Sequence, residues 1–116
     1  MSAENILLTN MPANVRRDML VDGDQGESDR RFVGSDGVAT YAIVANAVGI
    51  TLAIRSQYRN IAPLQTVEAG GTTGVFPNMT EKGIQVPVYA GEKLVFEVRE
   101  TAGVATTDVM LSIDTP

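Results

Sequence analysis

Apolar residues in this chain recur most strongly at every second position, the pattern of strands with one buried face. Leu94, Phe96 and Val98 fall on one side of the run 93–99, with Glu97 and Arg99 on the other. Val109, Leu111 and Ile113 do the same in 108–114, and Ile50, Leu52 and Ile54 alternate with Thr51, Ala53 and Arg55. Ile84, Val86 and Val88 alternate with Gln85, Pro87 and Tyr89. Because Pro87 has no N–H for a ladder, its strand is expected at a sheet edge or a bulge. Shorter strands are expected at 5–10, 17–21, 31–33 and 73–76, and no segment carries a helical period.

Turn residues punctuate these runs. Ala90-Gly91-Glu92 and Ala47-Val48-Gly49 separate strands at hairpin distance, and Ala102-Gly103-Val104-Ala105 divides the last two. Gly34-Ser35-Asp36-Gly37 precedes Val38, and the glycine-rich 69–74 reads as a linker within the domain. About eight short strands with no helix between them predict an all-β, single-domain antiparallel β-sandwich or barrel. Residues 38–116 carry nearly all the alternation and form the expected sandwich proper. Residues 1–37 are charged and weakly patterned, and are expected to supply an extended N-terminal arm, a strand or two and a polar loop over 22–36. Val38 to Ile54 lacks a charge for 17 residues, but its β-branched content and Gly49 fit two strands and a turn better than a membrane span.

The 116 residues suit one domain with a modest core. The absence of Cys and His removes thiol nucleophiles, disulfides, zinc sites built on those residues and imidazole-dependent triads. A net charge of −5 makes nucleic acid a poor partner, and Arg16, Arg17, Arg30 and Arg31 sit among acids rather than in a basic patch. The start of the chain lacks the basic region of a secretory signal.

Four clusters invite a chemical reading. The acidic loop 22–29 offers oxygen ligands, but a glycine stands at the fifth position and the closing Glu of an EF-hand is missing, so a solvated loop is expected. Glu68, Glu81, Glu92, Glu97 and Glu100 are glycosidase carboxylates by type alone, without a tryptophan to stack a sugar. Gly70-Gly71-Thr72-Thr73-Gly74 lacks the Lys and helix of a phosphate loop, and Asn78-Met79-Thr80 is a glycosylation sequon without a secretory context. The fourth cluster, residues 55–60, closes a strong strand with Arg55, Tyr58 and Arg59. Arg and Tyr are enriched at protein interfaces, so Arg55, Tyr58, Arg59, Arg16, Arg17 and Tyr89 are the candidate interface residues. The competing reading is a strand running out into solvent. No catalytic residue, metal ligand or cofactor is expected.

Residues 62–67, 86–96 and 107–113 together resemble a jelly roll, a β-sandwich of about eight strands. With its size, acidity, lack of Cys and His and small-residue strands, the chain resembles the head decoration (cement) proteins of tailed bacteriophages. That resemblance implies a non-enzymatic virion protein, made in the host cytoplasm, that sits on the capsid surface as a homodimer or homotrimer and bridges neighbouring major capsid subunits. It also implies that residues 1–14 and 22–36 reach a neighbour, through strand addition to an open edge. The chain is then expected to be a complete small product, with no nucleic-acid or membrane partner. The alternative is a small β-sandwich that recognises a glycan or receptor on a viral appendage through Tyr58 and Tyr89.

Overall fold

Eight strands form two four-stranded antiparallel sheets, and the way they pair explains the whole topology. The computed structural model describes residues 3–116. The strands are β1 (Glu4–Met11), β2 (Arg16–Asp18), β3 (Gly37–Ala45), β4 (Ile50–Arg55), β5 (Asn60–Thr66), β6 (Ile84–Val88), β7 (Val95–Glu100) and β8 (Thr107–Asp114). The first sheet runs β1-β8-β3-β6 and the second β2-β7-β4-β5. β4 pairs with β5, β3 with β6, β2 with β7 and β1 with β8, so the chain is one long nested hairpin. Rolling that hairpin sends successive pairs to alternate sheets, and the contacts β3–β8 and β4–β7 sew the pairs together. This is a jelly roll.

Period-two burial drives the roll. Ile6, Leu8, Tyr41, Val86, Val88, Val109, Leu111 and Ile113 from the first sheet meet Ile50, Leu52, Ile54, Phe96 and Val98 from the second. The Tyr41 ring stands edge-on to Phe96, with centroids 5.3 Å apart. Burial pushes the Tyr41 phenol pKa above its ordinary value, although Gln65 Nε2 donates to its oxygen at 3.0 Å. One end of the core is closed by α1 (Met19–Asp22), which buries Met19 and Leu20. Asp18 caps this turn by accepting from Leu20 N, and the same oxygen accepts from Phe96 N on β7.

Several expectations change. Residues 4–11, expected partly as an arm, are a sheet strand that buries Ile6, Leu8 and Met11 against β8; Met1 and Ser2 lie outside the described residues. The strand expected at 17–21 ends at Asp18, where the capping carboxylate turns the chain into α1. Residues 31–33 contribute only the bridge Phe32–Lys93 after a 3-10 turn at Asp29–Arg31, and 73–76 form no strand. Gly49 and Gly91 do not close hairpins: β3 and β4 lie in different sheets, as do β6 and β7. A short link between two half-buried strands is equally suited to crossing the sandwich, and only β4–β5 stays within one sheet.

The outer faces of the sheets differ. Residues 68–78 cross the outside of the first sheet, held by Ala45 N to Glu68 O, Gly71 N to Ala45 O and Thr73 Oγ1 to Asp108 Oδ2. They cover Ala42, Val44 and Met110, a small apolar cluster outside the main core. Gly71 is required here, because a Cβ would meet Val44 Cγ2 at 2.9 Å. Asn78 then caps α2 (Met79–Lys82) by accepting from Thr80 N. Among the described residues no such segment covers the second sheet. Among the described residues no helix is long and apolar enough to cross a membrane.

Candidate functional site

Three connections meet at one end of the roll: 19–36 between β2 and β3, 56–59 between β4 and β5, and 89–94 between β6 and β7. Backbone bonds join the first to the third, from Val33 N to Glu92 O, Gly91 N to Val33 O and Leu94 N to Arg31 O. Gln57 joins the second to the third in both directions, donating to Gly91 O at 3.0 Å and accepting from Lys93 N at 2.6 Å. The Asp36 carboxylate accepts from Ala90 N.

Glu92 sits at the centre and is almost fully buried. Its carboxylate accepts from Arg59 Nε at 3.1 Å and Nη2 at 2.9 Å, from Ser56 Oγ at 2.7 Å and from Tyr89 N at 2.8 Å. Burial pushes its pKa up, but the bonds from Arg59, Ser56 and Tyr89 and the guanidinium charge outweigh that and hold it below the ordinary value of 4.5. Arg59 also donates to Pro87 O at 2.8 Å, and its guanidinium lies 4.9 Å from the Tyr89 ring centroid. A side chain expected to reach a partner is therefore first a clamp that ties the β4–β5 connection to the 87–92 segment.

That clamp leaves aromatic rings outside. Phe32 is 47% exposed, Tyr58 76% and Tyr89 52%, and all three belong to this end. The chain has six aromatics in all, so half of them stand exposed on one end of the roll. Arg31 and Lys93 approach the Phe32 ring at 5.1 and 5.9 Å. The loops that carry these exposed rings and their neighbouring cations are fixed to one another by hydrogen bonds, so little loop entropy would remain to be lost if this end met a partner.

The six sequence candidates thus separate into two groups. Tyr58, Arg59 and Tyr89 come together here. Arg16, Arg17 and Arg55 belong to the second sheet, where Arg55 Nη1 and Arg16 Nε lie 2.7 and 4.0 Å from the Glu97 carboxylate, while Arg17 donates to the Arg16 carbonyl. Phe32, Gln57 and Glu92 complete this end; the sequence marked Glu92 only as a carboxylate by type and Gln57 only as part of the 55–60 run, and Phe32 lies in a weak segment.

The remaining clusters have structural roles. Glu97 is ion-paired, Glu68 pairs with Lys82 at 2.8 Å, and Glu100 is buried among backbone N–H groups. In the acidic loop Asp24 binds Thr9 through both oxygens, and Asp22 accepts from Asp18 N. Among the described residues no three carboxylates converge as a cation site would need. The sheet edges are also obstructed. Asp24 N and its carboxylate occupy Leu7 O and Thr9 N on β1, β2 has three residues, β5 carries Pro63 within a register shift, and β6 is the expected edge strand with Pro87. This argues against strand addition as the means of contact. Neither a family model, nor a curated protein, nor a solved structure matches the chain.

Proposed function

We propose that this protein is a non-enzymatic capsid decoration protein that docks on the outer face of a phage head through the Phe32–Tyr58–Tyr89 end of its jelly roll. The observation that supports this reading best is the presence of three exposed aromatic side chains at one end of the roll, on loops fixed to one another through Glu92, Arg59 and Gln57. Exposed aromatic and cationic groups on a rigid support are the chemistry of protein interface anchors. The strongly bonded carboxylates hold loops together rather than facing a substrate cleft. In this reading the partner is the major capsid protein, the chain acts as a homo-oligomer on the shell, and it bridges neighbouring subunits.

Co-sedimentation with heads assembled from the major capsid protein of the same genome, lacking this chain, tests the proposal. The expected result is saturable binding at a fixed ratio to the capsid protein. Absence of binding by folded protein overturns it. The same exposed tyrosines favour a second reading, stacking against a glycan. A glycan array bound by the wild type and lost in Tyr58→Ala/Tyr89→Ala, together with no binding to heads, selects that reading.

A further inference from the structure

The outer face of the second sheet carries an arrangement that folding alone does not favour. Arg16 on β2 stands directly opposite Arg99 on β7, with Thr51 of β4 on the other side of Arg99. Like charges facing across strands destabilise a sheet. Arg55 lies further along the same face; the carboxylates among these guanidiniums are Glu97, which is within 4.0 Å of both Arg16 and Arg55, and Asp18, directly opposite Glu97, whose Oδ1 accepts from Leu20 N and Phe96 N. Arg99 has no carboxylate within ion-pair distance among the described residues. A chain of net charge −5 thus gathers three of its nine cations on one sheet face. Small residues such as Thr51 and Ala53 floor the face, and among the described residues no segment covers it, whereas residues 68–78 cover the other sheet.

We infer that the outer face of β2-β7-β4 docks an acidic protein surface through Arg16, Arg55 and Arg99. Charge complementarity selects the occupant. A second copy related by a two-fold axis brings the same cationic cluster onto itself. A nucleic-acid backbone meets Glu97 in the middle of the face and an acidic molecule behind it. A protein surface bearing separated carboxylates can pair with the three guanidiniums and leave Glu97 opposite a neutral group. The identity of the partner rests on the decoration reading, in which bridging two capsid subunits takes a second contact surface besides the aromatic end. The chemistry of the face does not rest on it.

The test is a titration of the isotope-labelled full chain with a peptide whose glutamates are separated by serines, followed by backbone amide NMR. The expected result is saturable shifts at Arg16, Thr51, Arg55 and Arg99, with affinity falling about tenfold between about 20 and 200 mM salt. Arg16→Ala and Arg99→Ala should each remove these shifts without unfolding the chain. Shifts elsewhere, or none, overturn the inference. Tighter binding of a DNA duplex to the same amides overturns it in favour of nucleic acid, and concentration-dependent broadening of those amides without peptide overturns it in favour of a second copy. If the peptide titration succeeds but wild-type protein ignores capsid shells, the decoration reading fails and the acidic-surface assignment stands.

Discussion

Each end of the roll is organised by one buried glutamate, yet the two ends differ in what they leave exposed: aromatic rings at one, and the aliphatic Val48 and Val104 at the other. At the far end Glu100 accepts from Asn14 N at 3.0 Å, Ala102 N at 3.0 Å and Gly103 N at 2.8 Å. Those backbone bonds, the one from Asn14 first, hold its pKa below 4.5 in spite of burial. No cation takes part, and the 101–106 turn that wraps the carboxylate needs positive φ at Gly103 and Thr106. The turn is filled by its own backbone and exposes no aromatic ring. At the near end Glu92 is reached by side chains from the β4–β5 connection, so a guanidinium and a hydroxyl do the holding and Tyr58, Tyr89 and Phe32 remain outside. The same carboxylate chemistry closes one end and builds a platform at the other.

The largest expected effect removes the distinction. Phe96→Ala empties the core beneath both ends and should cost about 3–5 kcal/mol, with hydrogen-exchange protection falling at both. Deleting residues 1–11 should likewise unfold the chain, since β1 is part of the sheet. Replacing the glutamates separates the ends. Glu92→Ala should speed amide exchange at 31–36 and 89–94 and abolish docking, whereas Glu100→Ala should loosen 13–15 and 101–106 and leave docking intact. Equal loosening of both ends by either variant would show that they are one unit.

Acid should act on both. Each carboxyl titrates below 4.5 in the folded chain, so its stabilisation is complete above that pH and is lost as pH falls through the lower folded value. Thermal midpoints measured from pH 6 to 3 should therefore drop below about pH 4.5, and less steeply in Glu92→Gln or Glu100→Gln. Asp18 opposes them weakly. Burial raises its pKa above 3.8 against its bonds from Leu20 and Phe96, so its contribution is present below 3.8 and lost as pH rises through the folded value. Asp18→Asn keeps the acceptor and should leave the neutral-pH midpoint unchanged or slightly higher, the smallest effect.

The strands with clean alternation were legible because every second residue reaches the core: Leu94, Phe96 and Val98 are all fully buried. β1 was only weakly legible because its ladder slips between Leu8 and Met11, with Asn10 at positive φ, which breaks the period of two. β5 was hidden for a similar reason, since its register shifts around Pro63 and leaves Leu64 in solvent. At the docking end Tyr58, Arg59 and Tyr89 could be chosen by residue type. Glu92 could be chosen by type as well, but not as the buried hub of this end, because its burial depends on loops brought together by the nested pairing.

The most direct test of the docking end compares binding to heads that lack this chain for Tyr58→Ala/Tyr89→Ala and for Glu100→Ala. The aromatic variant should keep its stability within about 0.5 kcal/mol and lose at least about tenfold in affinity, while the Glu100 variant binds as the wild type does. Undiminished binding by the aromatic variant, or equal losses in both, would contradict the assignment of docking to the Glu92 end.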